Sequence, residues 1–165
     1  MVVVLTITAC GFPLNTPEEY FDQAALNTNG ISRFGTYYFE GFQAYLKSTA
    51  GPGKVSNCEK YLQNSIASAE KNLEKVKRLK PTDKTEPMLN ASIDLYTFVL
   101  ANYKTEHLNI ARMIDSHAPE DKINEALTHV DTESYDIFIQ KYNKVWELAD
   151  VYAKENGIEV EKMPF

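Results

Sequence analysis

The feature that most constrains this chain is a run of apolar residues at Val55, Cys58, Leu62, Ile66, Ala69, Leu73 and Val76, separated by alternating steps of three and four. At about 3.6 residues per turn these positions fall on one stripe of a helix, and in water that stripe must be covered by something else apolar. The opposite face carries Glu59, Lys60, Glu70, Lys71, Glu74, Lys75 and Lys77, the pattern of a solvated surface. Pro81 stops the segment and Thr82-Asp83 turns the chain.

The same period recurs in three further segments. Thr16-Pro17-Glu18-Glu19 supplies an N-cap, a proline at the first helical position and acids at the positive end of the helix dipole. From there Phe21, Ala24, Ile31, Phe34, Tyr38, Phe42 and Tyr45 form a stripe reaching about Ala50. Asn29-Gly30 and Gly35 predict a kink or break near Gly30, and Gly51-Pro52-Gly53 ends the helix. A third helix is predicted from about Glu86 to His117, with Leu89, Ile93, Tyr96, Leu100, Tyr103, Ile110 and Ile114 on one stripe. Met88, Leu95, Phe98, Val99 and Met113 flank that stripe, so this helix touches two neighbours. A fourth follows Ala118-Pro119, carrying Ile123, Leu127, Val130, Ile137, Phe138, Val145, Leu148 and Tyr152, with a bend near Thr132 and Ser134 and a C-cap at Asn156-Gly157.

No stretch shows the sustained period-two alternation of a sheet. Short connections between long amphipathic rods predict an all-α fold, an antiparallel up-and-down four-helix bundle over residues 16–165. A chain of 165 residues can bury one self-sufficient core.

The amino terminus carries an address. Val2 to Ala9 is uncharged and apolar or hydroxylic, spans only about 12 Å as a helix, and is too short to cross a hydrocarbon layer about 30 Å thick. It reads as the end of a secretory signal, residues 1–9, followed by a tether over 10–15. Ile7-Thr8-Ala9-Cys10 resembles the bacterial lipobox, which makes the Cys10 thiol the acceptor of diacylglycerol. The positively charged leader usual for such signals is missing, since the first basic residue is Arg33; the expectation is an upstream start or a trimmed chain. The competing reading is an apolar first strand or helix with a buried Cys10. Several acyl chains, at about 0.8 kcal/mol per buried methylene, would hold the protein durably on a membrane. Cys58, on the apolar stripe, then reads as a buried small hydrophobe instead of a reactive thiol.

Charge narrows the partners. With 17 basic and 23 acidic residues, and no dense basic stripe, the charge argues against a nucleic-acid partner.

The order and spacing of the later helices resemble a family of helical surface lipoproteins from spirochaetes and related Gram-negative bacteria, without an assigned activity. The residues that carry the likeness are Val76, Leu79, Lys80 and Pro81, then Ala91, Leu95, Tyr96 and Phe98, then Phe138, Tyr142, Ala149, Tyr152, Ala153, Lys154, Glu155 and Asn156. The resemblance implies an exported helical lipoprotein, and it carries no catalytic residue over.

Chemistry is sparse. Di-iron bundles place a Glu three residues before a His, and none of His107, His117 or His129 has one there. Cys-x-x-Cys-His is absent, as are a nucleophile elbow and a phosphate-binding glycine loop. The most suggestive polar group is Asn102, Glu106 and His107, on or beside the third stripe, where they either set register, face solvent or line a ligand pocket. The reading is therefore non-enzymatic: a lipoprotein without a cofactor, on the periplasmic side of the outer membrane or at the cell surface, binding an unknown protein or small molecule. The absence of an acidic run in Gly11 to Asn15 leans toward the periplasmic side. The alternative is a metal- or haem-binding four-helix bundle, for which Met88, Met113 and the three histidines are the available ligands.

Overall fold

Capping side chains set where the helices begin. In the computed structural model, which describes residues 15–49 and 57–160, the Thr16 hydroxyl accepts the Glu19 amide and α1 runs over Pro17–Ala24. A 3-10 helix follows at Leu26–Ile31, and α2 spans Thr36–Thr49. The first periodic segment is thus broken where Asn29-Gly30 and Gly35 weaken it. Its two halves are joined by a corner at residues 32–35.

The helix α3 covers Cys58–Arg78. The Asn57 side chain accepts from the Lys60 amide at 2.7 Å, and the Asp115 carboxylate accepts the amides of Cys58 at 2.8 Å and Glu59 at 3.0 Å. A carboxylate at a helix amino terminus satisfies orphan amides and complements the dipole, while Lys75, Lys77 and Arg78 complement the other end.

The third segment is one continuous helical rod made of α4 (Glu86–Asn102), a π turn at Tyr103–His107 and α5 (Leu108–Asp115). The fourth likewise comprises α6 (Glu120–Val130), a π turn at Asp131–Tyr135 and α7 (Asp136–Asn156). The second π turn falls where Thr132 and Ser134 predicted a bend; the first has no such precursor in the stripe pattern. Among the described residues every regular element is helical and none is a strand.

Ion pairs link the rods. Glu59 meets Arg112 and Glu70 meets Lys104, joining α3 to the α4–α5 rod. Lys141 meets Asp94 and Glu155 meets Lys84, joining α7 to α4 and to the turn that precedes it. These pairs lie at the surface, with only Glu59 and Lys141 half-buried, and each contributes at most about 1 kcal/mol, so they report register more than they stabilise it.

Stability comes from the shared interior. Phe34, Phe42, Leu62, Val76, Met88, Leu95, Tyr96, Val99, Ile110, Phe138 and Val145 are all buried. Each side chain of this kind contributes about 1.5–3 kcal/mol by leaving water. The helix α1 joins the interior through Phe21, whose ring meets Trp146 edge-on at 6.3 Å. The helix α2 lies against α3 through Tyr38 and Phe42, whose rings pack on Tyr61. Two stripe members depart from expectation: Tyr45 and Ile137 are each 44% exposed. Tyr45 lies beyond Phe42 near the end of α2, and Ile137 lies two residues past the end of a π turn, which rotates the helix face and puts Phe138 inward in its place.

Candidate functional site: a corner clamped by two π turns

A π turn inserts an extra residue into a helix and is uncommon enough to merit a physical reason. Here both π turns supply side chains to the same short stretch, the corner between the 3-10 helix and α2. From Tyr103–His107, the Tyr103 hydroxyl donates to the Arg33 carbonyl at 2.9 Å, and His107 Nε2 accepts the Gly35 amide at 3.1 Å. From Asp131–Tyr135, Asp131 Oδ1 accepts the Thr36 amide at 3.0 Å. The corner's backbone polar groups, which no helix can satisfy, are thereby paired with side chains from two other rods.

Gly35 is the pivot. Its φ of +59° lies in the left-handed region, and a Cβ built there would sit 2.0 Å from Asp131 Oδ1. Only glycine lets the backbone turn this way and approach the carboxylate so closely.

The imidazole of His107 is entirely buried among rings, with centroids of Phe34 at 4.8 Å, Tyr103 at 4.9 Å, Phe39 at 5.6 Å and Tyr38 at 5.7 Å. Burial pulls its pKa down to about 4, against the smaller upward pulls of the Asn102 carbonyl and the Asp131 carboxylate. At neutral pH the ring is therefore uncharged. Because Nε2 accepts a hydrogen bond from the Gly35 amide, its lone pair lies there and the ring proton sits on Nδ1. Nδ1 makes no bond of full hydrogen-bond geometry; the Asn102 carbonyl, five residues back, is the acceptor that influences it. Burial likewise raises the pKa of the Tyr38 and Tyr103 hydroxyls, so both stay protonated.

Phe34 completes the interior of the corner. Its ring stacks on Phe138 at 4.7 Å and 9°, and on Phe98 at 5.8 Å. Outside the corner, the Arg33 guanidinium lies 5.3 Å over the exposed Tyr37 ring, in space left open by the missing side chain of Gly41, where a Cβ would meet Arg33 Nη1 at 2.4 Å. Stacking of this kind holds an arginine in place while its N–H groups still face outward.

The three polar residues singled out in the third stripe do not converge. His107 is buried, Asn102 is half-buried with its Nδ2 donating to the Phe98 carbonyl at 3.1 Å, and Glu106 is exposed. His107 instead meets Gly35 and Asp131's neighbourhood, across the fold. Arg33, Gly35 and Asp131 had no signature as a group, because what unites them is a corner that exists only after the rods pack. Gly35 alone carried a local hint, as a glycine inside an otherwise periodic segment.

Cys58 is fully buried and free, with burial, then the adjacent Asp115 carboxylate, pushing its thiol pKa up to about 12. A thiol so protonated is a poor nucleophile. Among the described residues no group of three or more His, Cys, Asp or Glu side chains is placed to hold a metal ion, and no helix is long and apolar enough to cross a membrane. Cys10, the signal segment, most of the tether and the Gly51-Pro52-Gly53 stop lie outside the described residues.

Fold and site together define an all-helical bundle with a clamped, aromatic-lined corner. Compared with protein-family models, with curated proteins and with solved structures, the chain matches none.

Proposed function

We propose that this chain is a bacterial lipoprotein, held by lipid on Cys10 to the outer membrane of a Gram-negative cell, whose helical domain is a non-enzymatic binding module. In this reading α1–α2, α3, α4–α5 and α6–α7 pack as four rods up and down, and the module faces the periplasm or the cell surface. The resemblance to helical surface lipoproteins and the Ile7-Thr8-Ala9-Cys10 tetrad support the anchor.

The observation that carries the binding role is the division of labour at the corner. The reactive-looking groups, His107 and Asp131, spend their hydrogen bonds on Gly35 and Thr36. What faces solvent is Arg33 stacked on Tyr37, a pair of residue types that dominate protein recognition surfaces, on a backbone fixed by three long-range bonds. A rigid scaffold under exposed arginine and tyrosine lowers the entropic cost of docking. A metal or haem could take His107 only if Gly35 released its Nε2.

Two measurements test this reading in a Gram-negative host that exports the chain. Mass spectrometry of the mature amino terminus should find an acylated Cys10; a retained segment 1–9 with a bare thiol would overturn the anchor. A photo-crosslinking residue at Tyr37 should trap a discrete partner that the same residue at Lys77, on the outer face of α3, does not. Identical products from both positions would overturn the binding face.

A further inference from the structure

Three buried polar atoms away from the corner find no partner of full hydrogen-bond geometry: Ser92 Oγ and the Tyr96 hydroxyl, one turn apart on α4, and Trp146 Nε1 on α7. Ser92 and Tyr96 are wholly buried, and a helical tyrosine ring folds back over the turn that precedes it, toward Ser92. The Tyr96 hydroxyl is also approached by the Asn72 side chain from α3 and by Tyr142 from α7. Tyr142 in turn donates to Asn29 Oδ1 at 2.9 Å and is approached by Trp146 and Thr28. Hydroxyls and amide groups from α3, α4, α7 and the 3-10 helix therefore form one polar seam through an otherwise apolar interior.

Leaving hydroxyls unsatisfied at this depth is costly, and folded proteins meet such groups with protein partners or with ordered water making about three hydrogen bonds. Ser92 Oγ has no protein partner, and the Tyr96 hydroxyl, with the Asn72 side chain close by, makes no bond of full geometry. We infer that the seam is a binding site for at least one long-lived internal water, held by the Tyr96 hydroxyl, the Ser92 hydroxyl and the Asn72 side chain. Water is the occupant because the recognising groups are neutral donors and acceptors, with no charge among them to hold an ion. The site lies apart from the clamped corner and does not depend on the proposed function.

Magnetic relaxation dispersion of the solvent, which counts long-lived buried waters, tests this on the whole chain. The dispersion amplitude of Tyr96→Phe should fall by about one water relative to the parent protein. Its melting temperature should fall by roughly 2–4 °C, the shift expected when one ordinary hydrogen-bonding group of a domain this size is lost. Ser92→Ala should lower the amplitude in the same way, and the double variant should lose no more than either single change. Ser92→Ala also keeps the test decisive if Tyr96→Phe does not fold. An unchanged amplitude in a folded variant, or melting temperatures that stay level or rise, would overturn the inference, because removing a truly unsatisfied hydroxyl relieves the fold.

Discussion

His107 Nε2 and the amide of Gly35 are joined by a 3.1 Å hydrogen bond across 72 residues of sequence. It ties the π turn of one long rod to the corner that redirects the first segment, and it needs an uncharged imidazole. Protonation of Nε2 would bring two N–H groups face to face and place a charge among Phe34, Phe39, Tyr38 and Tyr103.

The first prediction follows from that requirement. The folded pKa of about 4 lies below the unfolded value of about 6.5, so the unfolded chain binds the proton first as pH falls. The contribution of His107 is then fully present above about pH 6.5, declines as pH drops toward about 4, and amounts to a loss on the order of 3 kcal/mol. Asp131, the carboxylate nearest the ring, favours the charged form and moderates the effect. Urea denaturation between pH 7 and pH 4 should show this decline, and His107→Gln should be less stable at pH 7 but lose less on acidification. Equal losses in the two proteins would show that other groups govern acid sensitivity.

Gly35→Ala should destabilise the fold by about 2 kcal/mol or more, from the left-handed backbone and the contact with Asp131. Adding Asp131→Ala removes the collision but not the backbone strain, and it leaves the Thr36 amide without its acceptor. The double variant should therefore lose less than the sum of the two single losses. Chemical denaturation of all four proteins gives the coupling energy, and strict additivity would mean the two residues do not meet.

Phe138→Ala should cost about 3–5 kcal/mol, since the ring is buried and stacked on Phe34. The neighbouring Ile137→Ala should cost under about 0.5 kcal/mol, because that side chain is largely exposed. Thermal melts of the two variants decide it. A reversed order would place the face of α7 a residue away from the one described.

Cys58 should react with a thiol reagent only as fast as the protein opens. In a Cys10→Ser background, its labelling rate should rise sharply with urea and with Asp115→Ala, which removes the acceptor of the Cys58 and Glu59 amides and should cost about 1–2 kcal/mol. Rapid labelling of the parent protein in buffer would contradict a buried thiol.

How much of this was legible beforehand depends on the range of the interaction responsible. The stripe from Cys58 to Val76 specified α3 because helical period and apolar spacing are local properties of the sequence, and the caps at Thr16 and Gly157 were visible for the same reason. The break near Gly30 was likewise written in glycine and asparagine. His107 was identified as an unusual polar residue on an apolar stripe, but its grouping with Asn102 and Glu106 assumed a regular helix. The π turn at Tyr103–His107 changed which side chains share a face.

The sequence by itself determined the rods: their period, their ends and the apolar faces that must be hidden. Only the tertiary structure decided that two of the rods carry π turns, and what those turns hold. An extra residue in a helix has no local reward, and it persists here alongside Asp131 reaching Thr36, Tyr103 reaching Arg33 and His107 reaching Gly35, bonds whose partners lie about 70 to 95 positions apart. Interactions of that span come into being only once hydrophobic burial has brought the segments together.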